Sequence, residues 1–127
     1  MSQYNQEETP APVAIITIRN PATNDAVTGV TMLLDTGADT TLIPRLILPA
    51  LGITANALKQ ADYSLVGFDG TRIPAYLASV KITFIGKTLR GDFPLTDADY
   101  GIIGRDVLNR FRLVFDGPRQ VWEEVAG

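Results

Sequence analysis

Met32-Leu33-Leu34-Asp35-Thr36-Gly37-Ala38-Asp39-Thr40-Thr41-Leu42 is the stretch that decides how this chain is read. Three large apolar residues run straight into a carboxylate, and a glycine follows two positions later; the chain contains this arrangement once. A carboxylate after such a run costs free energy to bury unless hydrogen bonds or a functional role compensate it. Thr36 offers a hydroxyl, Gly37 permits close backbone approach, and Ala38 leaves room beside the acid. Two readings are open here. Asp35 is either a turn aspartate that caps backbone N–H groups, or half of a two-carboxylate active site.

Outward from this stretch, short apolar runs alternate with turn chemistry. Val13 to Ile18 is β-branched and reads as a strand, Asn20 to Asp25 as a turn, and Val30 to Leu34 as the returning strand. Pro44 to Leu51 is apolar and broken by Pro44 and Pro49, which suits a short helical turn or loop that is core or dimer contact. Tyr63 to Gly67 leads into Phe68-Asp69-Gly70, and Thr71 to Tyr76 leads out, an Asp-Gly hairpin pattern that taken alone is an ordinary turn. Ala78 to Ile85 reads as a further strand, joined by Gly86-Lys87 to a strand over Thr88 to Leu95. Tyr100 to Ile103 is a short apolar strand, and Val107, Leu108 and Phe111 place a short helix within Gly104 to Arg112. A hairpin about Gly117-Pro118 closes the pattern. Residues 1–11 are polar and end near Pro10, which predicts a flexible tail before one domain over 12–127.

Composition narrows the chemistry further. At 127 residues and 46% hydrophobic, the chain suits one domain with a real core. With eight prolines and eleven glycines, that domain is expected to be rich in strands and turns. There is no histidine, which excludes a Ser-His-Asp triad, an imidazole base and a His-ligated metal. There is no cysteine, which removes thiol catalysis, disulfides and thiolate sites and is compatible with a cytoplasmic location. The net charge of −3 and the scattered basic residues argue against a nucleic-acid partner. No apolar run has membrane-spanning length, and the polar start lacks the regions of a signal peptide. Any chemistry must come from carboxylates, hydroxyls, Lys, Arg, Tyr or backbone.

Three elements stand in order: Asp35-Thr36-Gly37-Ala38, Gly67-Phe68-Asp69-Gly70, and Ile102-Ile103-Gly104-Arg105-Asp106 ahead of a helix. In this order the sequence resembles the retropepsins, the single-domain retroviral-type aspartic proteases, over roughly residues 12 to 116. The resemblance implies an all-β fold, a closed β-barrel forming one acid-protease half, with one short C-terminal helix and activity as a homodimer on protein or peptide substrate. It also implies that the chemistry needs no metal or cofactor. It makes Asp35 catalytic, with Thr36, Gly37 and Ala38 forming the active-site turn. Gly67, Phe68, Asp69 and Gly70 take the place of the flap that closes over substrate. Leu33, Asp39, Asp99, Tyr100 and Ile102 fall where the family lines its substrate site, beside Asp97, and the acidic or aromatic wall favours basic or polar side chains. Arg105 resembles the arginine that pairs with the acid after the catalytic turn, here Asp39, as a structural brace, while Asp106 caps or charges the helix start.

The chain also departs from the pattern. Pepsin-like enzymes carry a hydroxyl donor at the Ala38 position; losing it weakens support of the charged carboxylate and predicts activity nearer neutral pH. Phe68 and Asp69 replace the glycine- and isoleucine-rich viral flap tip, and the hairpin at Gly117-Pro118 and Trp122 replaces one terminal strand. A catalytically silent dimerisation or peptide-binding module of the same fold is the alternative. An aspartyl phosphotransferase is a third reading, and it suffers from glycine at position 37, where such enzymes usually place a second carboxylate.

Overall fold

The computed structural model describes residues 2–66 and 69–126. After a two-residue strand, β1 (Ser2–Gln3), the chain enters an antiparallel pair formed by β2 (Val13–Arg19) and β3 (Ala26–Leu34). Side chains alternate across a strand. Ala14, Ile16 and Ile18 of β2 and Val30, Met32 and Leu34 of β3 are buried, whereas Ile15 is 64% exposed. Between the pairs Ile16↔Val30 and Ile18↔Val27, β3 carries one extra residue. Gly29, at φ +71°, absorbs this bulge because it has no Cβ to resist the left-handed conformation.

β4 (Ile43–Pro44) passes into 3₁₀ turns over Arg45–Ile47, Pro49–Leu51 and Ala55–Ala57. These turns place Ile47, Leu48 and Leu51 against the sheet as core. β5 (Lys59–Val66), β6 (Arg72–Phe84) and β7 (Lys87–Thr96) then form two consecutive antiparallel pairs. β8 (Gly101–Ile103) returns parallel to β3, α1 (Arg105–Leu108) follows, and the chain ends in the hairpin β9 (Leu113–Asp116) and β10 (Val121–Glu124).

The main sheet runs β4-β7-β6-β2-β3-β8, with β5 on β6. Its core includes fully buried Ile18, Met32, Ile43, Ile82 and Ile103, each contributing roughly 1.5–3 kcal/mol of burial free energy. A smaller sheet, β1-β10-β9, packs at one end. The Trp122 Nε1–H donates to the Val13 carbonyl at 2.8 Å, and the Trp122 ring stacks on Phe84 with centroids 6.0 Å apart, so the two sheets are fastened together. No helix among the described residues is long and apolar enough to cross a membrane.

Five features differ from sequence expectation. The all-β fold with one short helix is present, but the main sheet is open rather than closed into a barrel. Among the described residues a single bridge, Leu42↔Ile102, links its ends, because β4 is two residues long and Pro44 has no N–H to extend a ladder. β6 is one 13-residue strand, not two. Leu77 pairs with Lys59 on one side and Pro94 on the other, so the ladders overlap there and carry the strand through. Its hairpin with β7 turns on Ile85 and Gly86, both at positive φ, one residue earlier than Gly86-Lys87. The helix ends at Leu108, because Arg110 and Phe111 donate to carbonyls three residues back and the tightened turn brings the Phe111 ring edge-on to Phe84 at 4.9 Å. In the segment expected as a tail, Ser2 and Gln3 pair with Trp122 and Val121 and Tyr4 bridges to Pro12, while residues 6–9 between them are exposed.

Candidate active site

Asp35 sits one residue past the end of β3, where the sheet hands the chain to a turn. β3 buries Val30, Met32 and Leu34, so Leu33 and Asp35 continue the opposite face. The Asp35 N–H donates to the Ile103 carbonyl at 3.0 Å, and the Leu34 N–H to the Pro12 carbonyl at 3.0 Å. The acid therefore stands on backbone pinned from both flanks. Its Oδ1 accepts the Gly37 N–H at 2.8 Å, and its carbonyl accepts the Ala38 N–H at 3.2 Å. A Cβ on Gly37 would lie 3.1 Å from Asp35 Oδ1, so the carboxylate can fold back onto the turn because residue 37 has no side chain.

The loop after the turn is held by the segment at α1. The Arg105 guanidinium donates to the Thr36 carbonyl at 2.8 Å and pairs with the Asp39 carboxylate. The Arg105 N–H donates to the Ala38 carbonyl at 2.9 Å, and the Asp106 N–H to the Asp39 carbonyl at 3.3 Å. Leu42 and Ile102 exchange both backbone hydrogen bonds, which leaves β8 flanked by β3 on one side and the loop on the other. A Cβ on Gly104 would lie 2.6 Å from the Thr40 carbonyl carbon, and one on Gly101 would lie 2.3 Å from the Met32 sulfur. The two glycines permit this close crossing.

Two side chains take up a contact that their local sequence does not signal. Thr41, fully buried, donates its hydroxyl to Asp106 Oδ1 at 2.7 Å and accepts the Gly104 N–H at 3.1 Å. Asp106 thus turns its carboxylate to the loop, making no side-chain cap on the helix, although its charge still lies in the first turn. The acidic residues near β8 separate: Asp97 pairs with Arg45 at 2.9 Å, whereas Asp99 and Tyr100 line a cavity with Leu33. Ile102 is directly opposite Leu33 in the β3–β8 ladder.

Of the flap positions, Gly67 and Phe68 lie outside the described residues. Asp69 and Gly70 form the return of the β5–β6 hairpin, with Gly70 at φ +82°. The Thr71 backbone N–H, at 2.9 Å from Asp69 Oδ1, and then the Thr71 hydroxyl hold the Asp69 carboxyl below its ordinary range. Among the described residues no cluster of three or more acids is arranged to hold a metal ion.

The family model described as retroviral aspartyl protease matches residues 6–115, most of the chain. The protein belongs to the retroviral aspartyl protease family. Among solved structures, EIAV protease in complex with the inhibitor HBY-793 is similar at 26% identity and a TM-score of 0.59, over 84% of this chain and 91% of that one. A retropepsin-like aspartic protease from Rickettsia conorii shares the fold at a TM-score of 0.61 and 20% identity, over 98% of this chain and 95% of that one. No curated protein matches the chain. The family match spans the Asp35 turn, the β5–β6 hairpin and the Ile102-Ile103-Gly104-Arg105 crossing together.

Proposed function

We propose that the protein is an aspartic endopeptidase that works as a homodimer, with one Asp35 from each subunit. The observation that carries this reading is the mounting of Asp35. A single carboxylate is fixed by backbone hydrogen bonds at the end of β3, on a turn braced by Arg105. The family membership supplies the reaction class. Since the chain holds one such turn, a two-carboxylate site requires two copies.

Two carboxylates a few ångströms apart cannot both ionise without strong repulsion, so the pair retains one proton. The ionised member takes a proton from the water between them as that water attacks the peptide carbonyl carbon. The protonated member donates a hydrogen bond to the carbonyl oxygen, where negative charge develops. Proton return to the amide nitrogen then breaks the C–N bond. The remaining residues act by position: Thr36, Gly37 and Ala38 shape the turn, Leu33 and Ile102 wall the substrate site, and Asp69 and Gly70 belong to a hairpin that closes over the peptide.

Cleavage of a denatured protein, read together with the mass of the protein in solution, tests this. Asp35→Asn is expected to lower the rate by at least about 10³-fold, the scale of losing a positioned acid–base group. Activity that survives this substitution, or that belongs to a strict monomer, overturns the reading. A dimer that binds peptide and cuts nothing identifies the chain as a silent binding module.

A further inference from the structure

A cavity of about 580 Å³ opens on the face of β3 that carries Leu33, two residues before Asp35. Leu33, Val13 and Tyr100 give it apolar walls, and Glu7 and Thr9 line it from the N-terminal segment. That segment is a built loop. The Asn5 N–H donates to the Ala11 carbonyl at 2.9 Å, and Asn5 Oδ1 accepts the Ala11 N–H at 2.9 Å and the Glu7 N–H at 3.4 Å. The Tyr4 N–H, donating to the Gln120 carbonyl at 3.0 Å, ties the loop to the terminal sheet.

Among the described residues the carboxylates lining this space are those of Glu7 and Asp99, and no lysine or arginine lines it. Among the described residues neither acid is in an ion pair, whereas nearby Asp97 is matched by Arg45. A long aliphatic stem ending in a cation suits such a space, since the stem covers apolar wall while the head meets the acids. A neutral or acidic side chain would leave two like charges uncompensated or add a third.

We propose that this cavity is a specificity pocket for a lysine or arginine side chain of the peptide, and that Glu7 and Asp99 are its specificity-determining residues. The inference rests on the proteolytic reading of Asp35, and it adds that the N-terminal loop is part of the substrate site. Removing one carboxylate is expected to lower the preference for a basic over a neutral side chain by about fivefold, less at high salt because the acids are exposed.

The test uses the full chain and peptides that differ at one position, carrying lysine, arginine, norleucine or glutamate. The wild type is expected to cleave the basic peptides preferentially. Glu7→Gln and Asp99→Asn should each reduce the lysine-to-norleucine ratio, and Glu7→Lys should move the preference toward glutamate. Cleavage with no basic preference, or ratios unmoved by these substitutions, overturns the pocket assignment while leaving the protease reading intact. Binding of the lysine and norleucine peptides to Asp35→Asn protein, followed by fluorescence anisotropy, reads the pocket without hydrolysis. Tighter lysine binding that Glu7→Lys abolishes supports the assignment; equal binding of the two peptides rejects it.

Discussion

Thr41 and Asp106, 65 residues apart in the chain, are joined by a hydroxyl-to-carboxylate hydrogen bond of 2.7 Å, and the Thr41 N–H donates to the same carboxylate. The contact clamps the loop after Asp35 to the start of α1. Because the Thr41 hydroxyl also accepts the Gly104 N–H, its removal strips a charged acceptor of one donor and a buried donor of its acceptor. Thr41→Val keeps the side-chain shape and is expected to cost about 2–4 kcal/mol, read from urea unfolding midpoints. Thr41→Ser keeps both bonds and should cost only about 1 kcal/mol for the lost methyl. Equal losses from the two substitutions would show that packing, not the hydrogen-bond pair, holds the loop.

Arg105 presents the contrasting case. Its side chain is 44% exposed and that of Asp39 is 84% exposed, so their ion pair adds little to stability in water. Arg105→Ala should therefore lower unfolding stability by only about 1 kcal/mol. The larger expected effect is on the turn itself, because the guanidinium also holds the Thr36 carbonyl beside Asp35. Cleavage rate, and dimer content by sedimentation, should fall much further than stability does. A loss of stability with unchanged rate and assembly would make Arg105 an ordinary fold contact.

The glycines divide in the same way. A Cβ at residue 104 meets Thr40 backbone at 2.6–2.9 Å, where no flexible side chain can yield. Gly104→Ala is expected to destabilise by more than about 3 kcal/mol, a steric effect at an ordinary φ of −93°. At residue 37 the one close atom is the Asp35 carboxylate oxygen at 3.1 Å, which can swing aside. Gly37→Ala should leave thermal stability within about 1 kcal/mol and reduce the cleavage rate at least tenfold by misplacing the acid. Thermal melts and initial rates on one preparation separate the two outcomes.

What was legible in the sequence was local. The alternation that builds β2 and β3, the turns that end them, and the apolar run into Asp35 each depend on neighbours within a few residues. The Arg105–Asp39 contact became readable through family resemblance, since nothing near either residue reveals the other. Thr41 lies in a polar Thr40-Thr41 pair like that of any loop, and a helix start offers Asp106 a sufficient local role. The N-terminal segment is harder still. Its polar composition suits a tail, whereas its anchors are a pairing with β10, at the far end of the chain, and the side chain of Asn5. Likewise β6 joins two sequence segments only because the strands on either side overlap at Leu77.

Acid should act on the base of the β5–β6 hairpin through Asp92. The Ser79 hydroxyl donates to Asp92, Ser79 being its partner across the β6–β7 ladder, and the Lys59 ammonium at the start of β5 lies 3.2 Å from its other oxygen. Ser79 first and Lys59 second hold the Asp92 carboxyl below its ordinary value. A carboxylate depressed in the folded state contributes stability that is full above its unfolded pKa and is lost as pH falls through the folded one. Ser79→Ala raises Asp92 toward the ordinary value and so removes part of that pH-dependent contribution. Across about pH 7 to 2.5, spanning the usual aspartate range, the wild type should lose more stability than the variant, and their urea midpoints should draw together at the acid end. Parallel curves would mean that Asp92 is not coupled to Ser79. Since Lys59 is where the hairpin leaves the sheet, protease digestion within 59–66 should quicken in the variant at neutral pH and less so in acid, where wild type and variant share a protonated Asp92.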